Sequence, residues 1–300
     1  MHLLSCGVSV SLLAAAGAAA QVVHVPSVPF NGDSIGDWFG QSVSGAGDVN
    51  GDGFADVIVG APNDDNNGGA SGSARLFSGM NGAFNGDSAD DNFGRSVSGA
   101  GDVNGDGFDD VIVGADRDDN QGSNSGSARV FSGVNGAILY TFNGDFGGDR
   151  FGWSVSGAGD VNDDGFADVI VGAPFDDNTG GASGSARVLS GVDGAILYTF
   201  DGDAANTNFG DAVSGAGDVN GDGFDDVIVG AFADGAEDSG SARVLSGATG
   251  AILYTFYGDS AFEWFGRSVS GAGDVNGDGF DDVIVGAPND DENGEDSGMA

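Results

Sequence analysis

A long internal repeat is the feature that most constrains this chain. The segment Asp48–Pro62, DVNGDGFADVIVGAP, recurs nearly unchanged from Asp102, Asp160, Asp218 and Asp274, at spacings of 54, 58, 58 and 56 residues. A repeat of this length is typical of arrays in which each unit forms one supersecondary element that buries its faces against its neighbours. The chain is therefore expected to fold as a row of similar units.

Each unit contains four short segments typical of β-strands. The first follows Phe-Gly at residues 39–44, and the second is the β-branched run Asp56–Val59. The third and fourth are Ser127–Phe131 and Ala137–Phe142 in the second repeat, joined by the turn at Ser132–Gly136. Four antiparallel strands per repeat predict an all-β protein with one β-propeller blade per repeat. A calcium β-roll, the competing repeat fold, has a period of about nine residues, which this sequence does not show.

The repeats place the blades near residues 34–87, 88–145, 146–203 and 204–259, with an incomplete fifth at 260–300. Residues 28–33 resemble the end of a fourth strand, as though the chain began with an outer strand. The sequence ends where the other repeats enter their third strand. We therefore predict that about four and a half four-stranded blades are visible, as a fragment of a longer propeller.

The composition fits a turn-rich, acidic protein. Glycine accounts for 59 of the 300 residues while hydrophobic residues reach 40%, so the glycines mark tight turns and not disorder. The net charge is −39, almost every acid is Asp, and the eight cationic residues are all Arg. A nucleic-acid partner is excluded because nothing here would neutralise a phosphate backbone. An acidic surface that serves only solubility remains an alternative for part of this charge.

The first 20 residues read as a secretory signal peptide. An apolar stretch from Leu3 ends in the A-x-A-like site Ala18-Ala19-Ala20, and residues 21–300 would form the mature propeller. A buried N-terminal strand is the alternative. Cleavage would remove Cys6, the only cysteine, and no later segment is long and apolar enough to span a bilayer. We expect a secreted protein, either extracellular or at the cell surface, without a transmembrane segment.

A nine-residue loop in every repeat predicts a metal site. Ca²⁺ takes six to eight oxygen ligands, and loop positions 1, 3, 5 and 9 offer carboxylate or amide oxygens while position 7 offers a backbone carbonyl. An EF-hand carries its bidentate acid at position 12 before a helix, whereas position 12 here is a strand valine such as Val59. Plain turn chemistry explains the Asn and Gly residues, but not three crowded carboxylates repeated five times. We expect Ca²⁺, about one ion per repeat and up to five, with Mg²⁺ disfavoured because it demands a near-ideal octahedron.

The predicted ligands fall into five equivalent sets, in which the Phe contributes its carbonyl oxygen. They are Asp48, Asn50, Asp52, Phe54 and Asp56; Asp102, Asn104, Asp106, Phe108 and Asp110; Asp160, Asn162, Asp164, Phe166 and Asp168; Asp218, Asn220, Asp222, Phe224 and Asp226; and Asp274, Asn276, Asp278, Phe280 and Asp282. The five Phe side chains are also expected to pack between blades.

These motifs carry a family resemblance. Phe39-Gly40, the acidic loop and then Gly60-Ala61-Pro62 resemble the FG-GAP repeat of the integrin α-chain propeller and its bacterial relatives. Phe-Gly recurs at 93, 151, 209 and 265, but Gly-Ala-Pro recurs only at 172 and 286. The resemblance implies a seven-bladed propeller with calcium in the loops between the first and second strands. It implies an adhesion-type module and names no ligand.

The opposite face is the predicted place for a partner. Antiparallel connections put the loops between strands 2 and 3 and between blades on that face, and their sequences vary most. Four aromatic residues in the loops between blades are candidate anchors for an extracellular protein or glycan: Trp38, Phe146, Phe262 and Trp264. Gap-filling between blades is an equally weighted alternative. The third-strand arginines are expected to pair with carboxylates of a neighbouring blade, and the acids of the 2–3 loops to be solvated.

The sequence argues against an enzyme. The mature chain has one histidine, His24, and neither Cys nor Lys, which excludes Ser-His-Asp and Cys-His triads and Schiff-base chemistry. Three functions remain open: an extracellular binding or adhesion module, a purely structural calcium-rigidified surface repeat, and a propeller appended to a hydrolase domain outside this chain.

Overall fold

The computed structural model describes residues 30–77, 82–290 and 297–300, and within them the protein is built of β-sheets. There are 18 strands and one short 3₁₀ turn at Ala236–Asp238 in this part of the chain. The predicted all-β architecture of four-stranded propeller blades is thereby confirmed. The predicted signal peptide, residues 1–20, lies outside the described residues.

The strands follow the repeat in chain order. Their bounds are β1 Ser42–Gly47, β2 Asp56–Ala61, β3 Ser73–Phe77, β4 Gly82–Asn85, β5 Ser96–Gly101, β6 Asp110–Ala115, β7 Ser127–Phe131, β8 Ile138–Asn143, β9 Ser154–Gly159, β10 Asp168–Ala173, β11 Ser185–Leu189, β12 Ile196–Asp201, β13 Ala212–Gly217, β14 Asp226–Ala231, β15 Ser241–Leu245, β16 Ile252–Tyr257, β17 Ser268–Gly273 and β18 Asp282–Gly286.

Each blade is an antiparallel sheet in simple sequence order. The sheets are β1-β2-β3-β4, β5-β6-β7-β8, β9-β10-β11-β12 and β13-β14-β15-β16, followed by the two-stranded sheet β17-β18. As expected, the fifth blade has no third strand among its described residues, and Met299 forms only an isolated bridge with Ala287. The 1–2 loops thus lie on one face of the row of blades, and the 2–3 and 4–1 loops on the other.

Two predicted strands have different bounds in the structure. The first strand begins at Ser42 and not at Phe39, because Gln41 N bonds to the Trp38 carbonyl in a turn and Gly40 has a φ of 90°. The second strand runs on through Gly60 and Ala61, which pair with the third strand. At the N-terminus, the predicted outer strand is not seen in its described part, residues 30–33, which are not in a strand.

The core lies between neighbouring blades. The first strands pack side by side as a row, β1-β5-β9-β13-β17, and the second strands lie behind them. Ile112, Ile170 and Ile228 of the second strands are fully buried in the middle blades. At the two ends of the row the equivalent surfaces are open, so Val43 of the first blade and Ile284 of the fifth are exposed. Blade-to-blade contact is therefore what buries the apolar residues.

Close approach of the first strands requires glycine. A Cβ on Gly99 would stand 2.8 Å from the Gly45 carbonyl oxygen, and one on Gly157 would stand 2.9 Å from that of Gly99. The same approach recurs between Gly215 and Gly157. The repeated Ser-Gly-Ala-Gly of the first strand is thus explained by packing around the propeller axis.

We expect Gly99→Ala to lower the free energy of unfolding by about 1–3 kcal/mol, the usual cost of overpacking against atoms that do not yield. The matched control is Gly45→Ala, at the same position of the first repeat, where an added Cβ meets nothing within 4 Å. Urea unfolding of both variants checks this. Equal destabilisation by the two substitutions would contradict the packing argument.

The phenylalanine at loop position 7 joins successive blades in three repeats, which confirms the packing prediction for Phe108, Phe166 and Phe280, whereas Phe54 is exposed. A Cβ on Gly51 would lie 2.4 Å from a ring atom of Phe108, so the ring rests directly on the preceding loop. Phe166 lies on Gly105 and Phe280 on Gly221 in the same way. The first, second and fourth acidic loops are therefore each anchored to the loop of the next blade.

Candidate metal loops and the opposite loop face

The five acidic loops join the first strand of each blade to the second, and their own side chains fold them. In the first loop Asp48 Oδ1 accepts hydrogen bonds from Gly51 N at 2.7 Å and Asp52 N at 3.1 Å, and Oδ2 accepts one from Gly53 N at 2.9 Å. Asn50 Oδ1 accepts from Asp52 N at 2.8 Å. The polar side chains thus line a tight turn whose tip is exposed.

The aspartate at position 9 has a second partner that the sequence did not reveal. Asp168 is fully buried, its Oδ2 accepts a hydrogen bond from Val161 N at 3.0 Å, and its Oδ1 accepts one from Gly191 N at 2.9 Å. Gly191 belongs to the turn between the third and fourth strands. Asp110 binds Gly133, and Asp226 binds Gly247, in the same way. This carboxylate therefore fastens the acidic loop to the neighbouring turn of its own blade.

Burial perturbs the protonation of these aspartates. Desolvation raises the pKa of Asp110, Asp168 and Asp226 to about 6, although the backbone N–H groups that bind each carboxylate lower it. The carboxylates at positions 1 and 5 of the same loop raise it further. Like charges beside a buried carboxylate are costly, and a cation bound in the loop would offset that cost.

The donor chemistry of the loops suits a hard divalent cation, because every side chain at positions 1, 3, 5 and 9 offers oxygen. The loops do not, however, bring three carboxylates together. Among the described residues, three acidic side chains have oxygens within 4.8 Å of one another at two places, and neither is in a 1–2 loop. These clusters are Asp87, Asp91 and Asp118, and Asp259, Glu263 and Asp290.

Both clusters lie on the opposite face, at equivalent positions of the second and fifth repeats. In the second blade Arg129 of β7 fills the cluster, with Nη2 2.5 Å from Asp87 and 3.5 Å from Asp118. Asp87 follows the last strand of the preceding blade, so this arginine pairs across blades as predicted. Arg243 likewise pairs with Asp203 at 2.5 Å and Asp234 at 3.7 Å. Because Arg129 fills the cluster of the second blade, we derive no metal site from that cluster.

The first blade shows the same arrangement of a third-strand arginine between two aspartates. Arg75 pairs with Asp33 and lies 3.8 Å from Asp64, and the ring of Phe30 packs against Phe77 at a tilt of 34° with centroids 4.0 Å apart. The equivalent ring pair one blade later, Phe84 and Phe131, is 4.3 Å apart. The residues just before the first blade thus make the contacts of a fourth-strand end, although they form no strand.

The acids of the 2–3 loops are not simply solvated, which corrects that expectation. Asp64 and Asp176 are buried, and each accepts a hydrogen bond from a third-strand serine, Ser73 Oγ at 2.6 Å and Ser185 Oγ at 2.7 Å. The following residue, Asp65 in the first blade, is exposed and holds the loop through Ala70 N. The paired acids therefore have separate structural tasks.

The four candidate anchors lie in the loops between blades and are exposed. Phe146 and Trp38 expose 67% and 61% of their surface, while Trp264 exposes 38% and contacts Phe232 edge to face at 5.9 Å. Phe262 is also exposed, and its φ of 62° is in the left-handed region. The alternative role of filling gaps between blades fits Trp264 better than the other three.

Comparison with known proteins identifies relatives. The model of the FG-GAP repeat matches residues 39–77, 93–131, 151–189 and 265–300. Integrin alpha-5 of Xenopus laevis is 31% identical over 214 residues, and integrin alpha-V of Gallus gallus is 30% identical over 216; each match covers 66% of this chain and 20% of the relative. Integrin alpha-PS2 of Drosophila melanogaster is 31% identical over 213 residues, or 64% of this chain and 15% of the relative.

The chain thus spans about a fifth or less of the length of these curated relatives. The blade formed by β13-β14-β15-β16 has the same strand order as the matched blades, although the family model does not match it. In the part of the chain that the structure describes, no helix is long and apolar enough to cross a membrane.

Proposed function

Because this chain belongs to the FG-GAP repeat family, we propose that it is a secreted, calcium-binding β-propeller that acts as an extracellular binding or adhesion module. The observation that carries the proposal is the combination of the repeated acidic loop with relatives that are integrin α chains. Function in such a fold is carried by its sites, and we assign the ligand-binding role to the variable loop face.

Calcium is proposed for the five 1–2 loops. The residues that would hold it are the side chains at positions 1, 3, 5 and 9 and the carbonyl of the position 7 phenylalanine, as in Asp160, Asn162, Asp164, Phe166 and Asp168. When bound, the ion would supply positive charge to a loop in which three carboxylates repel one another. Its role in the protein is to stabilise the fold, since it would bind the folded loop and not the unfolded chain.

No catalytic role is proposed. The loops commit their acids to turn formation and to the proposed metal, and the buried 2–3 loop acids of the first two blades are held by arginine and serine. The acids held in this way are not the kind of free carboxylate pair that glycoside hydrolysis needs. A catalytic domain elsewhere in a longer protein would not alter this assignment for the propeller.

Binding to immobilised extracellular matrix proteins and to a glycan array tests the proposal. We expect saturable binding in millimolar Ca²⁺ that is lost in chelator and does not return with Mg²⁺ alone. The control is the same protein with Trp38 and Phe146 both changed to Ser, which should keep its calcium-dependent melting temperature and lose binding. Calcium-dependent folding without binding to any surface would overturn the adhesion role and leave a structural calcium-rigidified repeat.

A further inference from the structure

Three of the eight arginines gather on the 2–3 and 4–1 loop face, where the first strands begin. Arg95 and Arg267 directly precede β5 and β17, and Arg150 precedes β9. The guanidinium carbon of Arg95 lies 4.0 Å from the centroid of the Trp153 ring, and that of Arg150 lies 5.6 Å from it. Four others, Arg75, Arg129, Arg187 and Arg243, are held in strand three. Most of the remaining positive charge in this acidic protein is thus concentrated at one place.

Two aspartates partly neutralise the cluster. Asp211 forms an ion pair with Arg267, and Asp116 lies 3.8 Å from Arg150. Among the described residues no carboxylate oxygen comes within the 4.0 Å of an ion pair with Arg95. Three guanidinium groups facing two carboxylates leave one positive charge in excess. Burial lowers the pKa of Arg95, opposed by Asp116 and Asp211, so this cation is held at a cost that a further anion would relieve.

Aromatic rings pack against the arginine guanidinium groups, which remain partly exposed to solvent. Arg150 lies over Phe175 at 4.9 Å, and Arg267 lies over Phe232 at 5.1 Å. The Arg267 and Arg150 side chains nevertheless remain 42% and 30% exposed. A stacked guanidinium loses little freedom on binding and presents its N–H donors in a fork that matches a carboxylate. The arginine cluster is therefore preorganised to bind an anion.

We propose that Arg95, Arg150 and Arg267, with Trp153 as their platform, bind an acidic side chain of a protein partner. A single carboxylate fits better than a polyanion, because the protein carries a net charge of −39 that repels an extended negative chain. The surrounding rings favour a carboxylate with aromatic or apolar neighbours. This inference rests on the proposed binding function and names the chemistry that its loop face recognises.

Isothermal titration of the full, calcium-loaded protein tests the inference with two capped peptides, acetyl-Phe-Asp-Phe-amide and acetyl-Phe-Asn-Phe-amide. We expect one binding site for the Asp peptide and at least about tenfold weaker binding of the Asn peptide, which lacks the charge. Arg95→Gln, Arg150→Gln and Arg267→Gln should each weaken the Asp peptide by about tenfold or more. Arg117→Gln is the matched control, since Arg117 is exposed, makes no ion pair among the described residues and lies outside the cluster.

The melting temperature of every variant is measured alongside, so that a loss of binding can be separated from a loss of folding. Equal binding of the two peptides, equal weakening by Arg117→Gln, or tighter binding of glucuronate than of the Asp peptide would each overturn the inference. If Arg267→Gln keeps the calcium-dependent binding to matrix surfaces, the inference fails while the proposed function stands. If the Asp peptide binds as expected but no surface is bound, the proposed function fails and the carboxylate site stands.

Discussion

Millimolar Ca²⁺ is expected to raise the melting temperature of the metal-free protein by more than about 10 °C. A site that binds only the folded state contributes about 2.7 kcal/mol when the ion is at 100 times its dissociation constant. Up to five such loops act together, and in a domain of this size each kcal/mol moves the melting temperature by about 2–4 °C. Mg²⁺ should give a much smaller rise because the loops do not enforce an octahedron. Differential scanning calorimetry measures both.

Ionic strength must be matched in this comparison. A net charge of −39 destabilises a compact state by self-repulsion, and any salt reduces that repulsion. NaCl at equal ionic strength is therefore the reference, and the excess shift in Ca²⁺ reports the loops. Equal shifts in NaCl, Mg²⁺ and Ca²⁺ would show that the acidic loops are only turns, and the calcium part of the proposal would fall.

Asp168→Ala is expected to cost about 2–5 kcal/mol of stability in chelator, without any metal to lose. The substitution leaves the buried N–H groups of Val161 and Gly191 without an acceptor, and each such loss costs about 1–3 kcal/mol. Asp164→Ala is the control in the same loop, because Asp164 is exposed and accepts only from Phe166 N within the loop. It should cost less than about 1 kcal/mol in chelator. In Ca²⁺ both variants should lose one loop's share of the calcium stabilisation.

The stability difference between the wild-type protein and Asp168→Ala should depend on pH in a defined direction. Burial raises the pKa of Asp168 to about 6 in the folded protein, above its usual value of 3.8. The folded state then binds the proton more readily than the unfolded state, so the carboxyl group adds stability as the pH falls from 7 towards 4. In chelator, the stability difference between the wild-type protein and Asp168→Ala should therefore widen between pH 7 and pH 5. A difference that narrows would contradict the buried, metal-free geometry of this residue.

Much of the fold could be predicted because each repeat contains local sequence signals for its own strands and turns. The alternation and turn residues of Ser127–Phe131 and the turn that follows it are local signals, and the strand lies where they place it. The loop side chains at positions 1 and 3 also act on neighbours within five residues, so their arrangement follows from spacing alone. These local signals recur in five repeats, and they were enough to predict the four strands of a blade and the position of its acidic loop.

The remaining features depend on contacts between distant parts of the chain. Asp168 reaches Gly191 across 23 residues, and a glycine in a hairpin turn gives no sign of what binds its N–H. The aspartates that pair with Arg129 come from two loops of different repeats. The arginine cluster is harder still to predict, since Arg95 and Trp153 occupy the same position of successive repeats and look merely variable in sequence. Only their placement side by side around the axis makes them one site.

The repeated contact between loops also fixes how stability depends on blade number. Phe108 is a plug seated on Gly51 of the preceding blade, whereas Phe54 at one end is 74% exposed and Gly277 at the other has nothing within 4 Å of an added Cβ. The contact is therefore made only where one described blade follows another. In such a one-dimensional array, each blade contributes its own folding energy plus one interface, and both terms add along the row. A blade inside the described row takes part in two of these interfaces, so disrupting it breaks both.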